Sequence, residues 1–183
     1  MKNTSLNFAI TLYFFLTLAS GEQLEHKNET KKEQTPSTCK ENVAPRSLDS
    51  YAFIRNPRSG LVLQANEVNV IVVYATGTPN QMWVPEYVGS GKFNIINQGN
   101  GRVLDIGGNC SAGSNVITEP KEEGDPFQEW HLHYGEGIIN AKLGFSLNIP
   151  VKSPDLTSYK HGMEVKAHPW HGGDWQHFIL QRV

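Results

Sequence analysis

The chain has 183 residues, of which 19% are charged, and its formal net charge is −2 with histidine neutral. No segment concentrates Lys and Arg as a nucleic-acid backbone or an anionic membrane surface would require, so neither is an expected partner. The sequence also lacks a phosphate loop, a nucleophile elbow and an H-E-x-x-H motif. We therefore expect a binding protein that is not an enzyme and needs no cofactor.

Residues 1–21 have the features of a secretory signal peptide. Lys2 supplies a positive charge, residues 8–19 are apolar, and residues 19–21 are small enough for cleavage after Gly21. The apolar run is shorter than the about 20 residues that a transmembrane helix needs, and no later segment is apolar enough to span a bilayer. These features predict a secreted, extracellular protein without a membrane span in its mature form.

Residues 22–47 differ in composition from the rest of the chain. They are rich in charged residues, have few aliphatic side chains and contain no aromatic ones. Such a segment buries too little apolar surface to offset the entropy lost on ordering, so we predict a flexible charged arm. Residues 48–183 remain as one domain of ordinary size.

The predicted secretion bears on the roles of two cysteines and two sequons. Cys39 in the arm and Cys110 in the domain would mature in an oxidising compartment, where they are candidates for a disulfide. Pairing within one chain would tie the arm to the domain, and pairing between two chains is the alternative. Asn28 and Asn109 each begin an Asn-x-Ser/Thr sequon, which predicts glycosylation at both.

An internal repeat organises the domain. Three motifs share a glutamine two residues before a large aromatic ring, and they recur at intervals of 47 and 48 residues. The motifs are Gln81 with Trp83, Gln128 with Trp130, and Gln176 with Phe178. Each follows a strand-like run, a turn, and a second run that ends in a polar position. The residues at this polar position are Gln64, Asp105 and Asn148.

The repeat restricts the architecture to an all-β fold with three-fold pseudo-symmetry. β-Branched and aromatic residues alternate between turn residues, and no stretch has the periodicity of a long helix. A propeller typically needs at least four blades, and a sandwich does not need a three-fold period. A β-trefoil remains, in which three four-stranded units close a six-stranded barrel with a hairpin cap. We expect Trp83, Trp130 and Phe178 to meet in its core, each ring burying about 150–250 Å².

The three glutamine motifs, the polar positions before them and the domain length resemble the ricin-type lectin family of β-trefoils. The resemblance extends over nearly all of residues 48–183, although the cysteines that often flank each unit of the family are missing. It implies a sugar site in each unit. In the family, an Asp at the polar position accepts hydrogen bonds from sugar hydroxyls and the motif glutamine reaches back to it. A backbone N–H, an aromatic ring and an Asn before the glutamine complete the site.

The resemblance implies that the first unit keeps the aromatic half of a sugar site. Tyr74 stands at the aromatic position and Asn80 precedes Gln81. Gln64 replaces the Asp at the polar position, and a neutral acceptor makes a hydrogen bond roughly half as strong as a charged one.

The second unit keeps the acceptor half. Asp105 occupies the polar position, Gly108 is placed to offer its backbone N–H, and Gln128 can orient the carboxylate. Glu119 falls at the aromatic position, where it cannot stack on a sugar, and Phe127 is the candidate replacement.

The third unit is the least complete. It has Asn148 at the polar position, His168 at the aromatic position and Trp175 where the family has an Asn. Histidines are frequent in residues 168–177, but they lack the spacing of a four-ligand zinc site, so we predict surface loops and no bound metal.

These observations predict a secreted lectin module that binds glycans or glycoproteins. The expected ligands are galactose-like or related sugars, bound weakly at one or two shallow sites. Because no unit has a complete site, a second interpretation stays open: a β-trefoil scaffold that binds a protein partner, as an inhibitor or effector, after its sugar sites degenerated.

Overall fold

The structure, a computed structural model, describes residues 50–133, 137–153 and 155–183. The predicted signal peptide and arm, including Asn28 and Cys39, lie outside the described residues. Within them, thirteen short strands and three single-turn 3-10 helices alternate. The strands are β1 (Ala52–Arg55), β2 (Val62–Asn66), β3 (Asn69–Val73), β4 (Trp83–Gly89), β5 (Lys92–Asn97), β6 (Val103–Ile106), β7 (Val116–Glu119), β8 (Trp130–His133), β9 (Gly137–Asn140), β10 (Phe145–Asn148), β11 (Met163–Glu164), β12 (Lys166–Pro169) and β13 (Ile179–Arg182). The 3-10 helices are Pro79–Gln81, Leu156–Ser158 and Asp174–Gln176.

Antiparallel pairing joins seven strands into a closed ring. In order around the ring these are β1, β2, β3, β7, β6, β5 and β4, which pairs with β1 again. β8, β9, β10 and β12 extend from β5, while β13 pairs with β1 and β11 pairs with β3. The predicted all-β class is therefore confirmed, and its strands form a closed barrel.

The predicted six-stranded barrel needs six strand pairings, and five of them are present. Strands β13, β1, β4, β5, β8 and β9 are hydrogen-bonded in that order. Among the strands of the described ranges, no ladder joins β9 to β13. The six-stranded closure thus stays a prediction.

Three hairpins repeat the same register around the molecule. The hairpins are β2 with β3, β6 with β7, and β10 with β12. In each, the polar position on the first strand lies opposite a residue of the second. These pairs are Gln64 with Ile71, Asp105 with Ile117, and Asn148 with Lys166. Each polar position therefore lies on the first strand of its hairpin and is paired across the ladder with the second strand.

The three predicted core rings are buried, as expected. Trp83 and Trp130 are fully buried, Phe178 is 2% exposed, and all three belong to one apolar cluster. The indole N–H of Trp83 donates to the carbonyl of Leu63 at 3.2 Å, and that of Trp130 donates to Leu104 at 2.9 Å. A buried carbonyl without a hydrogen-bond partner is costly. Each indole N–H supplies that partner to a buried carbonyl of the barrel.

In the third unit, a serine hydroxyl takes over the role of the indole N–H. Phe178 carries no donor, and the equivalent carbonyl of Leu147 accepts a 3.0 Å hydrogen bond from the hydroxyl of Ser146. The chain therefore keeps the same carbonyl satisfied in all three units with two different side chains.

A second three-fold set of residues fastens each unit to the one before it. Its members are fully buried asparagines that stand eight residues before each polar position. They are Asn56, Asn97 and Asn140. The amide of Asn97 donates to the carbonyls of Asn80 at 2.9 Å and Met82 at 3.3 Å, which flank Gln81. The other two make the same kind of contact with the turns that carry Gln176 and Gln128.

The acceptor oxygens of these asparagines close the turn between the first two strands of each unit. The oxygen of Asn97 accepts from the N–H groups of Gly99 at 3.0 Å and Asn100 at 3.2 Å. Four residues after each asparagine is a glycine with positive φ, a conformation that residues with a side chain rarely adopt. The glycines are Gly60 (φ 74), Gly101 (φ 69) and Gly144 (φ 68). The asparagines thus fix the position of the glutamine motifs.

Candidate functional site

The three motif glutamines are buried and bridge separate parts of each unit. Their side chains are at most 1% exposed. Each side-chain oxygen accepts a backbone N–H, and each amide donates to a backbone carbonyl at the end of the hairpin. The accepting oxygens bind Thr76 at 2.8 Å, Glu122 at 2.9 Å and His171 at 2.8 Å. The carbonyls belong to Tyr74 at 3.1 Å, Pro120 at 3.0 Å and Pro169 at 2.9 Å.

In two units the same glutamine amide also holds the polar position. Gln128 donates to the carboxylate of Asp105 at 3.0 Å, and Gln81 donates to the side-chain oxygen of Gln64 at 3.0 Å. The expected glutamine-to-acceptor hydrogen bond is therefore present in the first and second units. In the third, the side-chain oxygen of Asn148, a residue only 7% exposed, has no partner among the described residues.

In two units the carbonyl that the motif glutamine binds belongs to the residue after the predicted aromatic position. The carbonyl that the glutamine binds belongs to Tyr74 in the first unit but to Pro120 and Pro169 in the others. Glu119 and His168, assigned to the aromatic position from the sequence, lie one residue earlier. The hairpin loops between the polar and aromatic positions differ in length between units, and the assignment of Glu119 and His168 stays a prediction. Among the three equivalent positions, only Tyr74 is aromatic.

The first unit presents an exposed ring beside two amides. Tyr74 is 68% exposed, and its ring stacks on His161 with a centroid distance of 5.3 Å and an interplanar angle of 19°. Gln64 is half-buried and Asn80 is exposed, with its backbone carbonyl held by Asn97. The amide of Gln81 binds both the Gln64 side-chain oxygen and the backbone carbonyl of Tyr74, so the structure joins the acceptor to the backbone that carries the ring.

The second unit presents a carboxylate in a negative environment. Burial raises the pKa of Asp105, the hydrogen bond from Gln128 lowers it, and the negative charges of Asp125 and Glu119 raise it again. The net result is an Asp105 pKa above its ordinary value. Only 7% of the residue is exposed.

The other two predicted residues of the second unit, Gly108 and Phe127, have different surroundings. Gly108 is exposed in the loop after β6 with φ +71, a conformation suited to glycine. Phe127 is half-buried, and its N–H donates to Asp125 at 2.9 Å. Its carbonyl binds Asn140 at 2.9 Å, so the backbone of Phe127 serves the turn.

If the Asp105 carboxylate accepts hydrogen bonds from a sugar, its raised pKa predicts that this binding is sensitive to acid. A carboxylate accepts hydrogen bonds from two hydroxyls only while it is ionised. An ordinary aspartate protonates near pH 4, and a raised pKa moves this loss to higher pH. In a Tyr74→Ala background, we expect affinity for lactose to fall as pH is lowered toward that region from above. Asp105→Asn in the same background removes the second half-site and should bind only weakly at every pH, and a Tyr74→Ala protein whose affinity does not change with pH would contradict the assignment.

In the third unit, the ring of His171 contacts the rings of two predicted residues, His168 and, at a centroid distance of 5.4 Å, Trp175. His168 is exposed, and its ring meets His171 edge-on at 5.9 Å. Trp175 is half-buried and packs against the apolar core. Asn148 is buried, and its side-chain oxygen has no partner in the described part of the chain.

The remaining predicted residues lie in one loop of the second unit. Asn109 is exposed, and its side-chain oxygen accepts hydrogen bonds from Ser111 at 2.7 Å and Ser114 at 3.3 Å. Cys110 forms no disulfide within the part of the chain that the structure describes, and its predicted partner Cys39 lies outside that part. Glycosylation and the disulfide remain predictions.

The described residues contain neither a metal-binding cluster nor a membrane-spanning helix. No group of three or more His, Cys, Asp or Glu side chains there is arranged to hold a metal ion. In the same ranges, no helix has the length and hydrophobicity that crossing a bilayer requires.

Comparison with known proteins places this geometry in a family. A family model described as "Ricin-type beta-trefoil lectin domain-like" matches residues 42–119 and 79–153. A search of curated proteins finds no match.

Solved structures share the fold. The designed three-fold symmetric protein ThreeFoil superposes with a TM-score of 0.65 at 25% identity, covering 74% of this chain and 100% of that one. The ricin B-like lectin of Macrolepiota procera, in complex with lactose, gives 0.60 at 19% identity, covering 73% and 94%. The C-half of the earthworm R-type lectin, in complex with GalNAc, gives 0.57 at 21% identity, covering 73% and 99%.

Proposed function

The chain belongs to the ricin-type β-trefoil lectin-like domain family, and we propose on that premise that it is a secreted lectin module. Its ligands are galactose-like or related glycans, free or on glycoproteins, bound weakly through shallow sites in the first and second units. The predicted signal peptide in residues 1–21 supports secretion.

The observation that carries this proposal is the hydrogen bond from a buried glutamine to the polar position in two units. It holds the side-chain oxygen of Asp105 or Gln64 in one orientation at 3.0 Å from the glutamine amide. A fixed acceptor loses less conformational entropy when it binds sugar hydroxyls than a freely rotating one. The same bond leaves each acceptor oxygen with lone-pair capacity for a ligand.

The two units supply complementary halves of a sugar site. Asp105 offers a charged acceptor, which makes a hydrogen bond about twice as strong as a neutral one. Tyr74 offers an exposed ring on which the apolar C–H face of a sugar can stack. Since neither unit combines the two groups, each site is weak alone, and binding to multivalent glycans would benefit from both.

The galactose-like class is supported by the ligands of two structural neighbours. The Macrolepiota procera lectin was solved with lactose and the earthworm lectin with GalNAc. Lactose is therefore the first probe for this chain.

A glycan array tests the proposal. We expect the wild type to bind galactose-terminated glycans, and we expect both Asp105→Asn and Tyr74→Ala to reduce the signal, because each removes one half-site. Asp105→Asn keeps an oxygen for Gln128 and removes only the charge, so the fold should persist. Asp155→Asn, at an exposed aspartate bonded to Ser153, is the matched control and should bind like the wild type. Absence of any glycan signal from the wild type would contradict the proposal.

A protein-binding scaffold is the second candidate, favoured by the crowding around Asp105. This residue is 7% exposed and has Asp125 and Glu119 as like-charged neighbours, which reduces its access to a ligand. An inhibitor or effector with degenerate sugar sites would bind no glycan on the array. It would instead capture a protein partner that Tyr74→Ala and Asp105→Asn still bind.

A further inference from the structure

A segment of the third unit is fastened against the aromatic position of the first. Strand β11 pairs with β3 through Met163 opposite Val72 and Glu164 opposite Ile71. Just before it, the N–H of Gly162 donates to the carbonyl of Val72 at 2.7 Å. This pairing holds the residue before Gly162, His161, next to the end of β3, where Tyr74 follows.

His161 makes two separate contacts with Tyr74. The rings stack at 5.3 Å with an interplanar angle of 19°, and the backbone N–H of Tyr74 donates to Nδ1 of His161 at 3.3 Å. Tyr74 is nevertheless 68% exposed, so His161 covers one face of its ring and the opposite face stays open. The two contacts together fix both the backbone and the ring of Tyr74.

We propose that His161 is a positioning residue of the first sugar site, which is therefore built from two units of the repeat. The inference rests on the proposed function, since it assigns His161 to the site that Tyr74, Gln64 and Asn80 form. His161 holds the Tyr74 ring beside the Gln64 acceptor with one face presented to the apolar side of a galactose-type sugar. The glutamine Gln81 holds the same residue from the other side through its carbonyl.

The physical effect is preorganisation of an exposed side chain. A tyrosine on the surface samples several rotamers, and ordering it on binding weakens affinity. Immobilising such a side chain beforehand improves affinity by about two- to tenfold. The first unit needs this support more than the second, because its acceptor Gln64 is neutral.

Titration with lactose in an Asp105→Asn background isolates the first unit. We expect His161→Ala to weaken lactose binding by about two- to tenfold. His161→Phe keeps a ring to stack on Tyr74 and should recover most of the affinity, whereas His161→Asn keeps only an acceptor and should not. His133→Ala changes an exposed histidine that contacts His131, and it should bind like the background. Unfolding midpoints measured in parallel separate a loss of fold from a loss of positioning.

The outcomes distinguish this inference from the function it rests on. If Tyr74→Ala abolishes lactose binding while His161→Ala leaves it unchanged, the first site exists and the role of His161 is wrong. If the background protein binds no lactose, or if Tyr74→Ala has no effect, the first site itself is wrong and the inference falls with it. Recovery by His161→Phe together with loss in His161→Ala supports it.

Discussion

Replacing Trp130 with alanine is expected to lower the free energy of unfolding by about 3–5 kcal/mol, the usual cost of deleting a large buried ring. Trp130 is fully buried among the core residues of all three units. The substitution leaves a cavity and also removes the partner of the Leu104 carbonyl. Chemical denaturation followed by fluorescence of the remaining tryptophans measures the loss.

Matched variants separate the ring from its hydrogen bond. Trp130→Phe copies Phe178 of the third unit and keeps most of the ring, so it should cost less than alanine but leave the Leu104 carbonyl unpaired. Val103→Ser copies the serine that satisfies this carbonyl in the third unit, since Val103 and Ser146 stand two residues before their polar positions. The double variant should lose about 1 kcal/mol less than the two single losses combined. A loss below 1 kcal/mol for Trp130→Ala would contradict the shared core.

The second large effect is expected at Asn97. Alanine there removes two donated and two accepted hydrogen bonds of a fully buried side chain. Since a buried polar group without its partner costs about 1–3 kcal/mol, and several groups lose theirs together, we expect a loss of at least about 3 kcal/mol in unfolding free energy. Lactose binding at the first unit should weaken as well, because Asn97 holds the carbonyls on both sides of Gln81.

Two controls define the Asn97 result. Asn97→Asp keeps an acceptor for the turn but sets a carboxylate oxygen against the carbonyls of Asn80 and Met82, so at neutral pH it should be no more stable than the alanine variant. Asn66→Ala changes an exposed asparagine at the end of β2 and should alter stability by less than about 0.5 kcal/mol. Equal stability of Asn97→Ala and the wild type in urea would show that the junction between units does not depend on this amide.

The core rings and the all-β class were predictable because both rest on features that repeat along the chain. A glutamine two residues before a large ring recurs at nearly constant spacing, and burial of Trp83 and Trp130 follows from their size and period. The hydrogen bond of Gln128 with Asp105 was predictable from the family resemblance. These elements depend on local pattern, which a single sequence contains.

The residue whose carbonyl binds the motif glutamine is not predictable from spacing, because the chain before it varies in length between units. Counting from the polar position cannot find Pro120 and Pro169, because the intervening hairpin loops differ between units. The register of the β-ladder decides which residue presents its carbonyl to the glutamine, and that register is set by which side chains are buried. The buried asparagines, by contrast, do have a sequence pattern. Each stands eight residues before the polar position and four residues before a glycine.

The contact between Tyr74 and His161 had no sequence signal at all. The two residues are 87 positions apart and belong to different units of the repeat. An internal repeat predicts what the units share, and His161 belongs to a feature that only one unit has. Such a departure from symmetry becomes visible only when the strands are placed in space.

The proposed sugar sites lie beside the glutamine-held acceptors of the first and second units. Amide chemical shifts of the isotope-labelled protein, followed during titration with lactose, test this placement most directly. We predict saturable shifts at Tyr74 and Thr76 in the first unit and at Ile106 and Gly108 in the second. Shifts that are absent at saturating lactose, or that cluster away from both acceptors, would contradict this placement.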